Sequence, residues 1–124
     1  MKPYSDEPGN IGVIRVPYDQ LYYIVEKSLA AGFNVAIHAI GDRGNRLALE
    51  AVEQALSIHP VADHRIRIEH AQIVQPEDLP RFAELDVLAS MQWMHATLDM
   101  PWAEARVGPE RIRGGYAWRT LLNS

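Results

Sequence analysis

The chain has 124 residues, 48% of them hydrophobic and 23% charged, which bounds it to at most one domain's worth of globular protein with a modest core. A formal net charge of −4 offers no basic surface for nucleic acid or anionic lipid. There is no cysteine, so disulfides and thiolate metal sites are excluded and any metal must be held by histidines and carboxylates.

Residues 1–16 read mostly as loop, broken by Pro3, Pro8, Gly9, Asn10 and Gly12. They lack the apolar core of a signal peptide, and no later run approaches the ~20 apolar residues of a membrane span, so no membrane role is expected and the cytoplasm is the default location. Residues 17–31 carry a helical period through Leu21, Ile24, Val25, Ser28 and Leu29, with Pro17 at the start and Gly32 at the end. A strand is predicted over 33–38 (FNVAIH). Asp42 stands where a cap belongs, ahead of a helix over 42–58 whose inner face is Ala48, Ala51, Val52, Ala55 and Leu56. The Gly-rich turn IGDRGN before it fits neither phosphate-loop pattern and reads as a strand-to-helix turn. His59 and Pro60 stop that helix, and His59 and His64 are both expected on the surface.

A second strand is predicted over 65–70 (RIRIEH), a short helix over 76–85 with Leu79, Phe82 and Ala83 inward, and a third strand over 87–92 (VLASMQ). From Asp99 the pattern is helical, with a break at Gly108 and Pro109 and a further helix from Glu110, weakened by Gly114 and Gly115. Trp93, Trp102, Trp118 and Tyr116 are expected to pack inside. The strict alternation predicts an α/β fold: a parallel sheet covered by helices, in one segment spanning 1–124.

His38 and His70 end the first two strands, one strand–helix repeat apart. Parallel strands joined this way lie as near or next neighbours, so both imidazoles come to the C-terminal edge, where α/β folds place their chemistry. They are candidate ligands of one metal ion, or polar residues where buried strands emerge into solvent. His95 follows the third strand at the same edge and is a candidate substrate group, proton donor or ligand. Strand alternation places Ile66, Ile68 and His70 on one face and Arg65, Arg67 and Glu69 on the other. If the His70 face lines a site, the charged face meets helices, and a bulge or an Arg67–Glu69 pair must reconcile that. Glu69 is then expected to point away from His70 and is not assigned as a base.

Three segments carry a resemblance: GFNVAIHAIGDRGN at 32–45, DHRIRIEHAQIVQPEDLPRFAEL at 63–85 and ASMQWMHATLDMPWAEARVGPERIRGGYAWRTLLNS at 89–124. Together they resemble the YtcJ-like branch of the amidohydrolase superfamily (amidohydrolase family 3). The resemblance implies a (β/α)₈ barrel with a metal site at the strands' C-terminal ends. The strands here match its fifth, sixth and seventh, and the chain matches the middle-to-late part of that barrel. His38 and His70 match the metal ligands of the fifth and sixth strands. Gln92 and His95 match the seventh-strand loop that faces substrate, with Trp93 in place of the usual proline. The implied cofactor is Zn²⁺ or another divalent metal, one or two ions in the complete enzyme. The implied reaction is hydrolysis of an amide or related C–N bond in a small molecule by metal-activated water. The first-strand H-x-H, the fourth-strand bridging ligand and the eighth-strand aspartate have no counterpart here, so no catalytic base is assigned and the chain alone is expected to be inactive. An open three-stranded segment is expected to associate with missing barrel segments or to form a homo-oligomer. The alternative function is a non-catalytic α/β module acting through self-assembly or as a truncated remnant.

Overall fold

A computed structural model describes residues 2–124. Helix α1 spans Tyr18–Ala30. Strand β1 is Ala36–Ala39, α2 is Asp42–Ile58, β2 is Arg67–His70, α3 is Leu79–Glu84 and β3 is Leu88–Ser90. Three further helices follow: α4 at Met94–Leu98, α5 at Met100–Arg111 and α6 at Trp118–Leu122. The strands pair in the order β1-β2-β3, both pairs parallel. This is the predicted α/β segment of a (β/α)₈ barrel, with shorter strands than the apolar runs suggested.

The helix ends follow their local chemistry. Pro17 precedes α1, and Gly32 closes it in a left-handed conformation at φ +75, its N–H donating to the Leu29 carbonyl and Phe33 N–H to that of Ser28. Gly41, not Asp42, is the N-cap of α2; Asp42 opens the helix and accepts from the Arg43 N–H. The α5 pattern breaks where expected, at Gly108, whose φ is 82. His95, expected in a loop, lies in the short α4.

One face of the sheet packs on the helices. Val35, Ile37 and Ala39 from the β1 region meet Val25, Leu29, Ala48, Leu49, Val52 and Ala55, while Ile66 and Ile68 are fully buried in the same core. Small residues on α2 let it lie close to the strands, and Leu49 completes its inner face, with Leu56 only partly buried. On α3, Leu79 and Phe82 face inward as predicted, but Ala83 is exposed.

Four readings are corrected. His64 is buried: its Nε2 donates to the Leu85 carbonyl and its Nδ1 accepts from the Ile66 N–H. Trp93, Trp102 and Trp118 are exposed, and Tyr116 is half-buried. Gly114 and Gly115 do not merely weaken a helix. They form a short turn and an antiparallel bridge to Ile73, and Gly114 lies so near the Val74 carbonyl that a Cβ there would stand 1.6 Å from its oxygen. The two faces of β2 are also reversed, as follows.

Candidate metal centre

Register places His38 beside Glu69, on the sheet face that no helix covers among the described residues; Ile37 and Ile68 share the covered face. The face carrying Arg67 and Glu69 is therefore the open one, which in a barrel is the interior. Its charges are paired: Arg67 donates to Glu69, and the Ser90 hydroxyl donates to Glu69 at 2.7 Å. The Ser90 hydrogen bond first, and then Arg67, hold the Glu69 carboxyl below its usual range.

By alternation His70 would fall on the covered face with Ile66 and Ile68. It does not, because the backbone turns left-handed at His70 (φ 78) and Ala71 (φ 43). Such conformations cost on the order of 1–3 kcal/mol each in non-glycine residues, and they cluster where a site needs a side chain re-aimed. The ladder holds them in place: Ala71 N–H donates to the Ala39 carbonyl and Ile73 N–H to that of Ile40. Asn45, fully buried on α2, adds its side-chain amide against the carbonyls of Gly41 and Ile73, at 2.9 and 3.0 Å. The loops that follow β1 and β2 are thus tied together.

The turn brings the His70 imidazole against His38, ring centroids 4.5 Å apart at 74°. His95 lies on the other side, its ring centroid 5.3 Å from that of His70. Three imidazoles therefore line one strip of the C-terminal edge. His70 Nδ1 donates to the Gln92 amide oxygen at 2.7 Å, and the Gln92 amide nitrogen donates to the Ser90 carbonyl at 3.1 Å. Further out, buried Gln72 donates to Asp99 at 3.0 Å and to the Tyr116 hydroxyl at 3.1 Å. Burial pushes the Tyr116 phenol up, against the lowering effect of the Gln72 bond. Asp99 sits at the predicted N-cap of α5, but its carboxylate takes the Gln72 bond in place of a capping one. A groove of about 1120 Å³ opens beside the cluster, touching it at His38 and running past Val13, Ile24, Arg43 and Trp102.

Two adjacent imidazoles suit a borderline-soft divalent ion, which binds histidine nitrogen at ~2.0–2.1 Å. The donor set fits part of a metal site only. Among the described residues, no group of three or more His, Asp or Glu side chains is disposed to hold an ion.

Comparison with known proteins shows the family. The pattern described as "Amidohydrolase family" matches residues 1–124. The chain belongs to the amidohydrolase family. This amidohydrolase segment is 34% identical to YtcJ of Bacillus subtilis (strain 168) over 123 residues, covering 98% of the chain and 22% of that protein. It is 35% identical over 121 residues to Protein LONG AFTER FAR-RED 3 of Arabidopsis thaliana, covering 97% of the chain and 21% of that protein. It superposes on the crystal structure of an uncharacterized metal-dependent hydrolase from Pyrococcus furiosus with a TM-score of 0.83 at 35% identity, over 98% of the chain and 24% of that structure. The amidohydrolase segment thus spans about a fifth of the length of the curated relatives it matches. Among its described residues, no helix is long and apolar enough to cross a membrane.

His38, His70, Gln92 and His95 were all singled out in the sequence, and they lie together. Ser90, whose carbonyl holds Gln92, was not, nor were Asn45 on α2 and Gln72 beyond β2, and Tyr116 was read only as a packing residue. Asn45 left a trace, as a polar residue on the helix face otherwise filled by alanines. The others gave none, since Gln72 meets Asp99 and Tyr116 from 27 and 44 positions away and the Ser90 hydroxyl meets Glu69 on the neighbouring strand.

Proposed function

We propose that this chain supplies part of the active site of a metal-dependent amidohydrolase, with His38 and His70 as two ligands of one divalent ion and His95 as a substrate-side group. The observation that carries the reading is the contact of the His38 and His70 rings, 4.5 Å between centroids, at the C-terminal edge of parallel strands. Held by His38 and His70, a divalent ion, Zn²⁺ first among the candidates, would supply Lewis acidity for polarising a carbonyl and lowering the pKa of bound water to ~7. The substrate class is a small molecule with an amide or related C–N bond. His95, on the far side of His70, is placed to hydrogen-bond the substrate carbonyl or the oxyanion that develops from it. The Gln92 amide is engaged within the chain at both ends, and His95 is the substrate-side group proposed. The proton-accepting carboxylate and the remaining ligands come from other parts of a longer barrel, a reading supported by the 22% share of YtcJ that the chain spans.

The test is titration of the full chain with Co²⁺ or Zn²⁺, followed by absorption and calorimetry. His38→Ala and His70→Ala should each weaken binding by at least the ~10–100-fold that loss of a supporting partner costs, with the far-ultraviolet spectrum unchanged. If both variants keep wild-type affinity, these residues are not the ligands. A second reading, an assembly module, is favoured by β1 and β3 each having one strand neighbour. Under it, sedimentation would show a stable oligomer whose size is insensitive to both histidines and to added metal.

A further inference from the structure

We infer that Gln92 is a positioning residue that selects the tautomer of His70, holding the proton on Nδ1 so that Nε2 presents its lone pair to the metal. The inference rests on the proposed metal site and deepens it. It starts from Ser90. A backbone carbonyl can only accept, so the Gln92 atom 3.1 Å from it must be the amide nitrogen. The amide is thereby prevented from flipping, and its oxygen is the atom that meets His70 at 2.7 Å. An amide oxygen can only accept, so His70 Nδ1 must carry the hydrogen. In a neutral imidazole the other nitrogen is then the one with a free lone pair, which is the state a ligand needs.

The chain of bonds also explains a separation in sequence. Ser90 ends β3 and Gln92 lies two residues beyond it, whereas His70 ends β2. Gln92 therefore fixes the ring of one strand end from the next, after the left-handed turn at His70 and Ala71 has re-aimed it. Without that bond the ring could rotate about its last torsion or shift its proton, and the Nε2 lone pair would no longer be held in one direction.

The experiment is long-range ¹H–¹⁵N correlation of the imidazoles in the metal-free full chain at pH 8, for the wild type, Gln92→Glu and Gln92→Leu. His70 is assigned by the peaks lost in His70→Ala. The wild type should show His70 protonated on Nδ1. Gln92→Glu retains an acceptor and should keep that tautomer; Gln92→Leu should lose it. Parallel Co²⁺ titrations should show binding weakened by about 10–100-fold in Gln92→Leu and within a few-fold of wild type in Gln92→Glu. A merely structural glutamine would not separate these two variants. A wild-type spectrum with His70 protonated on Nε2 overturns the proposal, and that result needs no variant to fold. So does a Gln92→Leu protein with wild-type tautomer and affinity. If the tautomers behave as stated but no form of the chain binds Co²⁺, the positioning role stands and the metal reading fails.

Discussion

His70 shows how one residue can depart from the pattern around it. Its side chain should follow Ile66 and Ile68 into the core, yet two left-handed residues in succession turn it out to meet His38. Alternation held for the strand and failed at its last position, where the ladder gives way to a loop. His64 errs in the other direction. It looked like a loop residue at the non-functional edge, but it is buried and uses both ring nitrogens, one to Leu85 and one to Ile66. Removing it strands the part-buried Leu85 carbonyl and the buried Ile66 N–H. His64→Ala is expected to destabilise the fold by about 2–4 kcal/mol, read as a lower urea midpoint. A midpoint within error of wild type would mean that both groups find other partners.

Among the elements, the link from α1 to α2 includes an acid-sensitive contact. Lys27, and after it His59, hold the Glu26 carboxyl below its ordinary value of 4.5. A carboxyl lowered by folding contributes stability that is full above the unfolded value and is lost as pH falls through the folded one. Stability should therefore drop below pH 4.5, and Glu26→Gln should flatten that part of a urea-midpoint series against pH. An unchanged acid limb would remove Glu26 from the account. The turn at Gly114 is the stricter element. Its Cβ position is 1.6 Å from the Val74 carbonyl oxygen, and Val74 N–H in turn donates to the Gly114 carbonyl. Gly114→Ala must push this pairing apart, at a cost of about 3 kcal/mol. Gly9, where an added Cβ meets nothing within 4 Å, is the control: Gly9→Ala should leave thermal stability near wild type.

For the molecule as a whole, the open sheet face is the decisive surface. Helices cover one side of β1 and β2, and the other side carries His38, Arg67 and Glu69. A charged strand face looked out of place when it was assigned to the helices. As the interior face of a barrel it is ordinary, with Glu69 held by Arg67 and Ser90. The exposed tryptophans follow the same logic. Trp93 and Trp102 lie on α4–α5 or its cap, outside the core made by α1, α2 and α3. Counting them as core treated a barrel segment as if it had to bury all its own apolar surface.

The sequence by itself determined the element order as far as β3, the parallel sheet, the capping glycine after α1, the break at Gly108 and the meeting of three histidines at one edge. These follow from hydrophobic period, turn chemistry and the handed strand–helix repeat, all of which act over a few residues or one repeat. The same signals missed α4 and α6, and the helix expected from Glu110 gives way to a turn at Ile112–Gly114. Only the tertiary structure decided which face of β2 is open, that His64 is buried, that Gly114 must be glycine, and that Gln92 bonds His70. Each of these depends on an atom contributed by a distant segment or a neighbouring strand, and on a backbone turn whose cost is offset by contacts that no local pattern records.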